Sequence, residues 1–528
     1  MTVDKRNIKE SISKNVKTIK FVFFPILYLS LIGFHIALVW GLAFFPTQDG
    51  PSHIYNLVIL KDLINGGKIW GDFYYYDLNF FPNLGFHIIS YPMLYFFNPI
   101  TVERIFLTIY ILMISFAVPL FIHEFNKKAL YFSFLVFPVI FNFPLMMGFY
   151  SYVVSVPLFI LFFCLSWKLR FKKSTELFIY YNLMGLILLM FHLIGFCIFM
   201  MAIFSIFLTR LSGDNWFKKI LRYTIIMSPS IIVFGCYYLK INDSPGRFEY
   251  LSAFNGWGNL FADLFFFTSI KFAKLEILSA VPFSIVVFFC LFVFFREKSY
   301  DFGELKKEPS NQAPLIYFFL FMLVVYFLSP SNLGDGAFFN LRLPFVILLT
   351  ILPLLKIPDK IIFKRGILII VPLISFFSCF TNAVSFYQES KKVELYTAGL
   401  GVEIPEKSIL MSYKIRKPGF TIIDVLLHAV SYYGLEKKCV DIGNYEARTR
   451  LFPVRLKKKD DSLPNIHEIE WEVEKINTEN YALIDYLISW QLESKHEKKI
   501  RSSYRMIFQN SDLKIWMRKA QIKQYSLL

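Results

Sequence analysis

Residues 20–53 read KFVFFPILYLSLIGFHIALVWGLAFFPTQDGPSH, a long apolar run that ends in a polar turn. The run from Lys20 to Phe45 is long enough to cross the core of a bilayer as a helix. It is too long for the h-region of a signal peptide and lacks a small-residue cleavage site, so it predicts a retained first membrane span. The polar residues from Pro46 to His53 then form the outer mouth of that span.

The composition favours the same class for most of the chain. Hydrophobic residues make up 56% of the 528 residues and charged residues 18%, and the mean hydropathy is +0.50. Soluble domains carry about a quarter charged residues, and barrel strands would alternate over about ten residues. We therefore predict an α-helical polytopic membrane protein with about eleven spans, at roughly 20–45, 103–124, 129–143, 150–168, 176–191, 193–209, 223–239, 277–295, 313–329, 343–356 and 366–385.

The net charge of +17 reflects basic clusters at the ends of these apolar runs, such as Lys127-Lys128 and Lys168 to Lys173. Such clusters set membrane orientation, so we exclude nucleic acid as a partner. With the N-terminal segment in the cytoplasm, most Lys and Arg residues before residue 385 fall on the cytoplasmic side, and eleven spans place the C-terminal domain outside. We expect a bacterial inner membrane, where the outer side is the periplasm; in a eukaryote it would be the lumen of the endoplasmic reticulum.

Three regions follow from this topology: a cytoplasmic segment at 1–19, a transmembrane domain at 20–385 and an extracytoplasmic domain at 386–528. The first outer loop, 46–103, is long. It contains two helical stretches that we predict to lie in the membrane interface, Ser52 to Leu63 and Leu84 to Phe97. Between them FYYYDLNFF, from Phe73, is an aromatic cluster typical of the water–lipid boundary.

The C-terminal region is predicted to be a small α/β domain. Its strands are expected at Ser408 to Ile415, Cys439 to Ile442, Tyr481 to Ser489, Tyr504 to Phe508 and Leu513 to Met517, with a helix at Thr421 to Tyr433. The segment HAVSYYGLEKKCVDIGNYEARTRLFPVRL is rich in Tyr and Arg, which would suit the binding of an acceptor glycan. The six Cys residues show no disulfide framework and no CxxC metal pattern.

Asp49 is the residue most able to do chemistry. Gly50-Pro51 forces a turn directly after it, and we expect Ser52 to cap the next helix. An acid held at a membrane rim is partly desolvated, which raises its pKa toward that of a useful general base. The alternative is an ordinary turn residue with an exposed side chain. His53 either orients Asp49, contacts a phosphate, or is a structural histidine.

The arrangement resembles the GT-C superfamily of membrane glycosyltransferases, such as protein O-mannosyltransferases and aminoarabinose transferases. Those enzymes have a cytoplasmic N-terminus, one span, and a long outer loop that opens with an acid, the position that Asp49 holds here. Pro82 to Phe97, followed by Glu103-Arg104, is similar to the family's proline-led interfacial helix and the Arg-bearing helix after it. The many spans and the outer C-terminal domain also match.

The resemblance implies an inverting transfer of a sugar from a polyprenyl-phosphate donor to a lipid or glycan acceptor, with Asp49 as the general base. The leaving phosphate needs cations. Arg342 is the first candidate because Arg offers a two-pronged fork for phosphate, and the alternative is snorkelling to the interface. His192 and Arg247 are weaker substrate-binding candidates. Asp335 is the spare carboxylate, and His87 is expected to be structural.

The second outer loop, FNFPLMMGFYSY at 141–152, contains no carboxylate. This argues against a two-carboxylate metal site, so no cofactor is predicted, although a divalent cation stays open. Two other classes also stay open: a transporter or lipid flippase, and a polymerase or ligase of surface polysaccharides. The sequence shows no convincing internal repeat of the kind that transporters usually have, which disfavours transport. The first outer loop is aromatic instead of rich in Arg and His, which disfavours the polymerase or ligase.

Overall fold

A computed structural model describes residues 24–78, 82–210, 216–241, 256–267, 275, 277–297, 311–329, 338–414, 422–449, 451–457 and 484–519. Within these residues, eight helices are long and apolar enough to cross a membrane, and three shorter apolar helices accompany them at Leu193–Leu208, Ala313–Leu328 and Asn340–Leu354. The chain is therefore a helical polytopic membrane protein. The exact number of spans stays a prediction.

The helices follow the apolar runs of the sequence closely. Up to the end of the membrane region the α-helices are α1 (Phe24–Gly41), α2 (Gly50–Ile64), α3 (Gly85–Ser90), α4 (Pro99–Phe125), α5 (Phe137–Ile140), α6 (Phe143–Met147), α7 (Tyr150–Leu169), α8 (Ser174–Phe191), α9 (Leu193–Leu208), α10 (Trp216–Ile241), α11 (Gly256–Phe266), α12 (Ile277–Glu297), α13 (Ala313–Leu328), α14 (Leu343–Ile351) and α15 (Ile361–Thr397).

Two of the predicted helices are broken in the structure. The expected third span, 129–143, consists of a 3₁₀ segment, Lys127–Val136, followed by the single turn α5. The expected helix Leu84 to Phe97 divides into α3 and a 3₁₀ turn at Pro92–Tyr95. Proline explains both breaks, since Pro92 and Pro138 lack the N–H that a continuing helix would use.

The C-terminal region contains a five-stranded sheet of order β3-β2-β5-β7-β6. Its strands are β2 (Ile409–Lys414), β3 (Val440–Asp441), β5 (Tyr486–Trp490), β6 (Tyr504–Asn510) and β7 (Leu513–Arg518), with helices α16 (Val430–Glu436) and α17 (Ser494–Ser503). Strand β2 is parallel to β3 and β5, and the other pairings are antiparallel. The helix predicted at Thr421 to Tyr433 is wrong in position, because residues 425–429 form turns and the helix begins only at Val430.

The loop between α1 and α4 is attached to the C-terminal region. Strand β1 (Tyr74–Tyr76), from the aromatic cluster, pairs antiparallel with β4 (Val454–Leu456). Asn56 on α2 and Asn444 in the C-terminal region exchange two side-chain amide hydrogen bonds of 2.9 Å each. Tyr74–Tyr76 of the cluster therefore form a strand. The expectation for the helix from Ser52 to Leu63 is corrected, because most residues of α2 are buried instead of lying along a free membrane surface.

The largest hydrophobic cluster runs from the membrane helices into the C-terminal sheet, and it includes residues as distant as Phe106, Tyr433 and Ile515. The hydroxyl of Tyr55 on α2 adds polar links, because it donates to the carbonyl of Cys439 at 2.7 Å and accepts from the N–H of Asp441 at 3.1 Å. The two regions are therefore held together by apolar packing and by satisfied buried hydrogen bonds.

Candidate functional site

Asp49 stands between α1 and α2, and backbone contacts fix its position. The N–H groups of Gln48 and Asp49 donate to the carbonyls of Met146 and Met147 at 2.9 and 3.1 Å. Gly148 has a φ of +94° and lies so close that a Cβ there would come within 2.7 Å of the Asp49 Cβ. The first and second outer loops are therefore joined at this carboxylate, and only glycine suits the contact.

The side chain of Asp49 is 9% exposed. Gln48 donates to its Oδ1 at 3.3 Å, and His428 Nε2 lies 3.5 Å from the same oxygen. The Tyr445 hydroxyl also donates to the Asp49 carboxylate. Burial raises the pKa of Asp49 to about 6, while the charge of His53 and the bonds from Gln48 and Tyr445 oppose the rise. The carboxyl is thus mostly ionised at neutral pH and still basic enough to accept a proton.

His53, one turn into α2, contacts a polar atom with each ring nitrogen. Nε2 donates to the carbonyl of Gly148 at 2.7 Å, and Nδ1 lies 2.9 Å from Oε1 of Glu446, which is fully buried. A carbonyl can only accept, so the ring is protonated at Nε2, and the carboxylate favours a second proton at Nδ1. Burial lowers the pKa of His53, but the charges of Glu446 and Asp49 and the hydrogen bonds outweigh it and raise the pKa to about 9.

A second buried carboxylate, Glu103, lies in the first turns of α4. The hydroxyl of Tyr150 donates to Glu103 Oε1 at 2.5 Å and lies 2.9 Å from Thr47 Oγ1. These three side chains pack directly against Gly50, where an added Cβ would meet each of them within 2.6 Å. Gly50 is required by this close packing, because it lets the start of α2 approach the carboxylate.

A buried cation lies near the same end of the helices. Arg342 is 9% exposed, its guanidinium lies 3.9 Å from the ring centre of Phe149, and it interacts electrostatically with Asp49. His192 Nδ1 accepts from the N–H of Ile194 at 3.1 Å, so in the neutral ring Nε2 carries the proton. That Nε2 is 3.3 Å from Nη1 of Arg342. Both atoms are donors, so together they suit one shared anionic acceptor.

The C-terminal region contributes to the site through the carboxyl ends of its parallel strands. Tyr445 and Glu446 follow β3, and His428 lies in the turns before α16. The rings of His428 and Tyr445 are tilted against each other with 4.6 Å between their centres. The backbone N–H of Asp424 donates to Gln48 Oε1 at 3.1 Å. This edge of a parallel sheet is where α/β folds usually bind ligands, and here it faces Asp49.

The structure brings four of the predicted residues into one cluster: Asp49, His53, His192 and Arg342. Arg247 and Asp335 lie outside the described residues. Ser52 does not cap α2, because the helix begins at Gly50 and Asp49 occupies the N-cap position. The expectation that Ser52 caps α2 was therefore wrong, because the N-cap position lies three residues earlier.

The remaining residues of the site were not found from the sequence. Glu103 had a usable signal, since an acid within an apolar helix is costly and marks a functional or paired position. Gln48 directly precedes Asp49, but nothing local indicated the hydrogen bond between their side chains. His428, Tyr445 and Glu446 lie in the segment predicted to suit an acceptor glycan, but they reach Asp49 only through folding. His87 is buried near Glu446 and His53, and burial lowers its pKa to about 4, so the ring is neutral.

Among the described residues, no group of three His, Cys, Asp or Glu side chains is arranged to hold a metal ion. The fold and the site together define a polytopic membrane protein with a buried carboxylate, a buried cation and a C-terminal α/β region at one end of its helices. Comparison of the sequence with known protein families and with curated proteins gives no match.

Proposed function

We propose that this chain is a membrane glycosyltransferase of the GT-C type, which moves a sugar from a polyprenyl-phosphate donor to a lipid or glycan acceptor at the outer face. The observation that carries the proposal is the buried Asp49 carboxylate, whose pKa is raised to about 6, near the donors of Arg342 and His192. A base and an anion site close together are what transfer from a sugar phosphate requires.

In the proposed reaction, the acceptor hydroxyl gives its proton to Asp49 as its oxygen attacks C1 of the sugar. The bond between C1 and the phosphate oxygen breaks, and its electron pair leaves with the polyprenyl phosphate. The phosphate changes from a diester with one charge to a monoester with two. Arg342 and the Nε2–H of His192 stabilise that second charge, and attack from the face opposite the phosphate inverts C1.

The other buried groups position this chemistry. Gln48 and Tyr445 bond to Asp49 and fix its direction. His53 is held by Gly148 and Glu446, and its positive charge favours the ionised form of Asp49. The segment that carries Tyr445 is the one that suits an acceptor glycan, which gives the C-terminal region a part in acceptor binding.

The finer topology belongs to the same proposal. Eleven spans, a cytoplasmic N-terminus and an extracytoplasmic C-terminal domain place Asp49 on the outer face of a bacterial inner membrane. Supporting this, α4, α7 and α9 each begin beside the site, near Glu103, Tyr150 and His192, and end where basic residues follow.

The experiment compares Asp49→Asn with the unchanged chain in membranes supplied with a polyprenyl-phosphate sugar and envelope extract. We expect sugar transfer to fall by about 100-fold or more, because the base is lost. Protein levels should be retained, and the melting temperature at pH 8 should be equal or higher, since the fold no longer buries a carboxylate with a raised pKa. Normal transfer by Asp49→Asn would remove the proposal.

A transporter or flippase is the second candidate, and α15 provides the observation that favours it. The buried face of α15 is polar between Ser375 and Ser390, whereas Phe376, Phe377 and Phe380 on its other face are exposed. On this buried face, neither the side-chain oxygen nor the side-chain nitrogen of Asn382 has a hydrogen-bond partner among the described residues. Polar groups facing inward in a membrane bundle often line a path. A transporter would form no glycosidic bond, so product analysis separates the two candidates.

A further inference from the structure

The ends of α7 and α9 that lie farthest from Asp49 carry an unusual group of cations. Arg170 follows α7 and Arg210 follows α9, and both guanidinium groups lie against the ring of Phe171, at 4.3 and 4.7 Å from its centre. Arg170 also stacks on Trp167 at 3.6 Å. Arg222, in the first turns of α10, adds a third positive charge that acts on Arg210.

These charges are crowded. Arg170 and Arg210 are partly buried, and after burial their mutual repulsion is the next largest influence on Arg170, whose pKa is lowered. Glu124 acts on Arg170 more weakly and is already paired with Lys168 at 3.2 Å. Lys172 is likewise paired with Glu176 at 3.1 Å, and Lys219 donates to the backbone carbonyl of Arg210 at 2.8 Å. The two arginines are therefore undercompensated by carboxylates of the described chain.

The position of the group indicates what would compensate it. Helix α7 starts at the candidate site and rises for 20 residues, about 30 Å, which is the thickness of a bilayer core. The arginines thus lie at the level of the opposite head groups. Phe171 is 76% exposed, as expected for a ring that enters lipid. Guanidinium groups bind phosphate through two parallel hydrogen bonds.

We propose that Arg170, Arg210 and Arg222 form a binding site for the phosphate of an anionic phospholipid, with the exposed ring of Phe171 against its upper acyl chain. The site lies on the face of the membrane opposite Asp49. It is independent of the proposed glycosyltransferase activity. Basic pockets between membrane helices are the known recognition mode for such head groups.

The test is native mass spectrometry of the delipidated full chain, titrated with phosphatidylglycerol or phosphatidylcholine. We expect the unchanged chain to prefer phosphatidylglycerol, and Arg170→Gln with Arg210→Gln to lose about fivefold in affinity for each charge removed. The control is Lys127→Gln with Lys128→Gln, which removes the same charge at the same end of the helices. It should retain the preference.

Two further arms keep the result decisive. Arg170→Lys with Arg210→Lys should give intermediate binding, because the charge remains and the fork is lost; it also serves if the glutamine variant does not fold. Inorganic phosphate at the same concentration should not compete, since it lacks the acyl chains. The lipid site would be contradicted if the double arginine-to-glutamine variant and the double lysine-to-glutamine control lost the same affinity for phosphatidylglycerol. It would also be contradicted if the unchanged chain showed no preference for phosphatidylglycerol, or if inorganic phosphate competed fully.

Discussion

Asp49 occupies the N-cap position of α2, yet its side chain makes no capping bond to that helix. Aspartate at this position normally accepts from the N–H two or three residues later, which stabilises a helix by about 1 kcal/mol. Here the backbone of Asp49 is helical and its carboxylate is held instead by Gln48, His428 and Tyr445. A side chain that gives up its local bond for distant partners fits a positioned base better than an ordinary turn residue.

Arg342 offers a test of the proposed phosphate site. Arg342→Lys retains a positive charge but loses the planar fork and the stacking on Phe149. We expect the catalytic efficiency of sugar transfer to fall at least about tenfold, mainly through weaker use of the donor, with unchanged protein levels. Steady-state kinetics at varied donor concentration measure this. Unchanged efficiency would leave Arg342 as a structural residue.

Glu446→Gln tests how the buried charges control Asp49. Without Glu446, His53 loses the partner that keeps it charged, and the charge of His53 is the largest influence that lowers the pKa of Asp49. The negative charge of Glu446 itself raises the pKa of Asp49, so its removal would lower that pKa, but this effect is smaller than that of His53. In the unchanged chain, the acidic limb of the pH–rate profile should have its midpoint near pH 6, the pKa of Asp49. We expect this midpoint to move to higher pH in Glu446→Gln.

Stability gives a second measurement for the same variant. His53 has a raised folded-state pKa of about 9 against an ordinary 6.5, so its contribution is complete below pH 6.5 and is lost as the pH rises through 9. Melting temperatures between pH 6 and 9 should show this loss in the unchanged chain and much less of it in Glu446→Gln. Glu406→Gln, which disrupts an exposed ion pair with Lys438, is the control and should change neither profile.

At the scale of elements, the start of α2 depends on a close approach that only glycine allows. Gly50→Ala would place a Cβ within 2.6 Å of Thr47, Glu103 and Tyr150. We expect a loss of about 3 kcal/mol of stability and impaired transfer, because overpacking forces the surrounding chain to shift. Gly41→Ala, at the end of α1 with open space around it, is the matched control for thermal unfolding. Equal melting temperatures for the two variants would contradict the packing argument.

Local sequence patterns predicted some elements and missed others for physical reasons. Long apolar runs predicted α4, α7 and α12 well, since hydrophobicity over about 20 residues is a local property. Helix α2 was predicted as a helix, but its burial was not. Its sequence has almost no one-sided apolar pattern, and its cover comes from α16 and β4, about 390 residues away in the chain.

The same reason limited prediction of the site at the scale of the whole molecule. Asp49 could be found from its place after the first span, and Arg342 from an arginine flanked by apolar residues. Tyr445 and Glu446 belong to a region that looks soluble, and nothing local indicates that they would face a membrane-rim carboxylate. Pairing such as Asn56 with Asn444 is decided by the tertiary fold, which a single sequence does not display.

The whole-molecule prediction concerns the two ends of the helices. The candidate site gathers residues from the starts of α2, α4, α7 and α9 and from the C-terminal region, so all of these must lie on one side of the membrane. Helix α4 ends at Phe125, about 33 Å along its axis from Glu103, and Lys128 follows that far end. Lys438, exposed on the C-terminal region, lies on the side of the site.

Single-cysteine labelling tests this arrangement. In intact spheroplasts, a membrane-impermeant maleimide should label Lys438→Cys, whereas Lys128→Cys and Lys168→Cys should react only after permeabilisation. The unchanged chain supplies the background, since its described cysteines are mostly buried and the exposed Cys236 lies in the apolar helix α10. Labelling of Lys128→Cys and Lys438→Cys from the same side would mean that α4 does not separate two aqueous compartments. Asp49 would then no longer lie at the mouth of a membrane span, and the argument for a lipid-linked donor would fail with it.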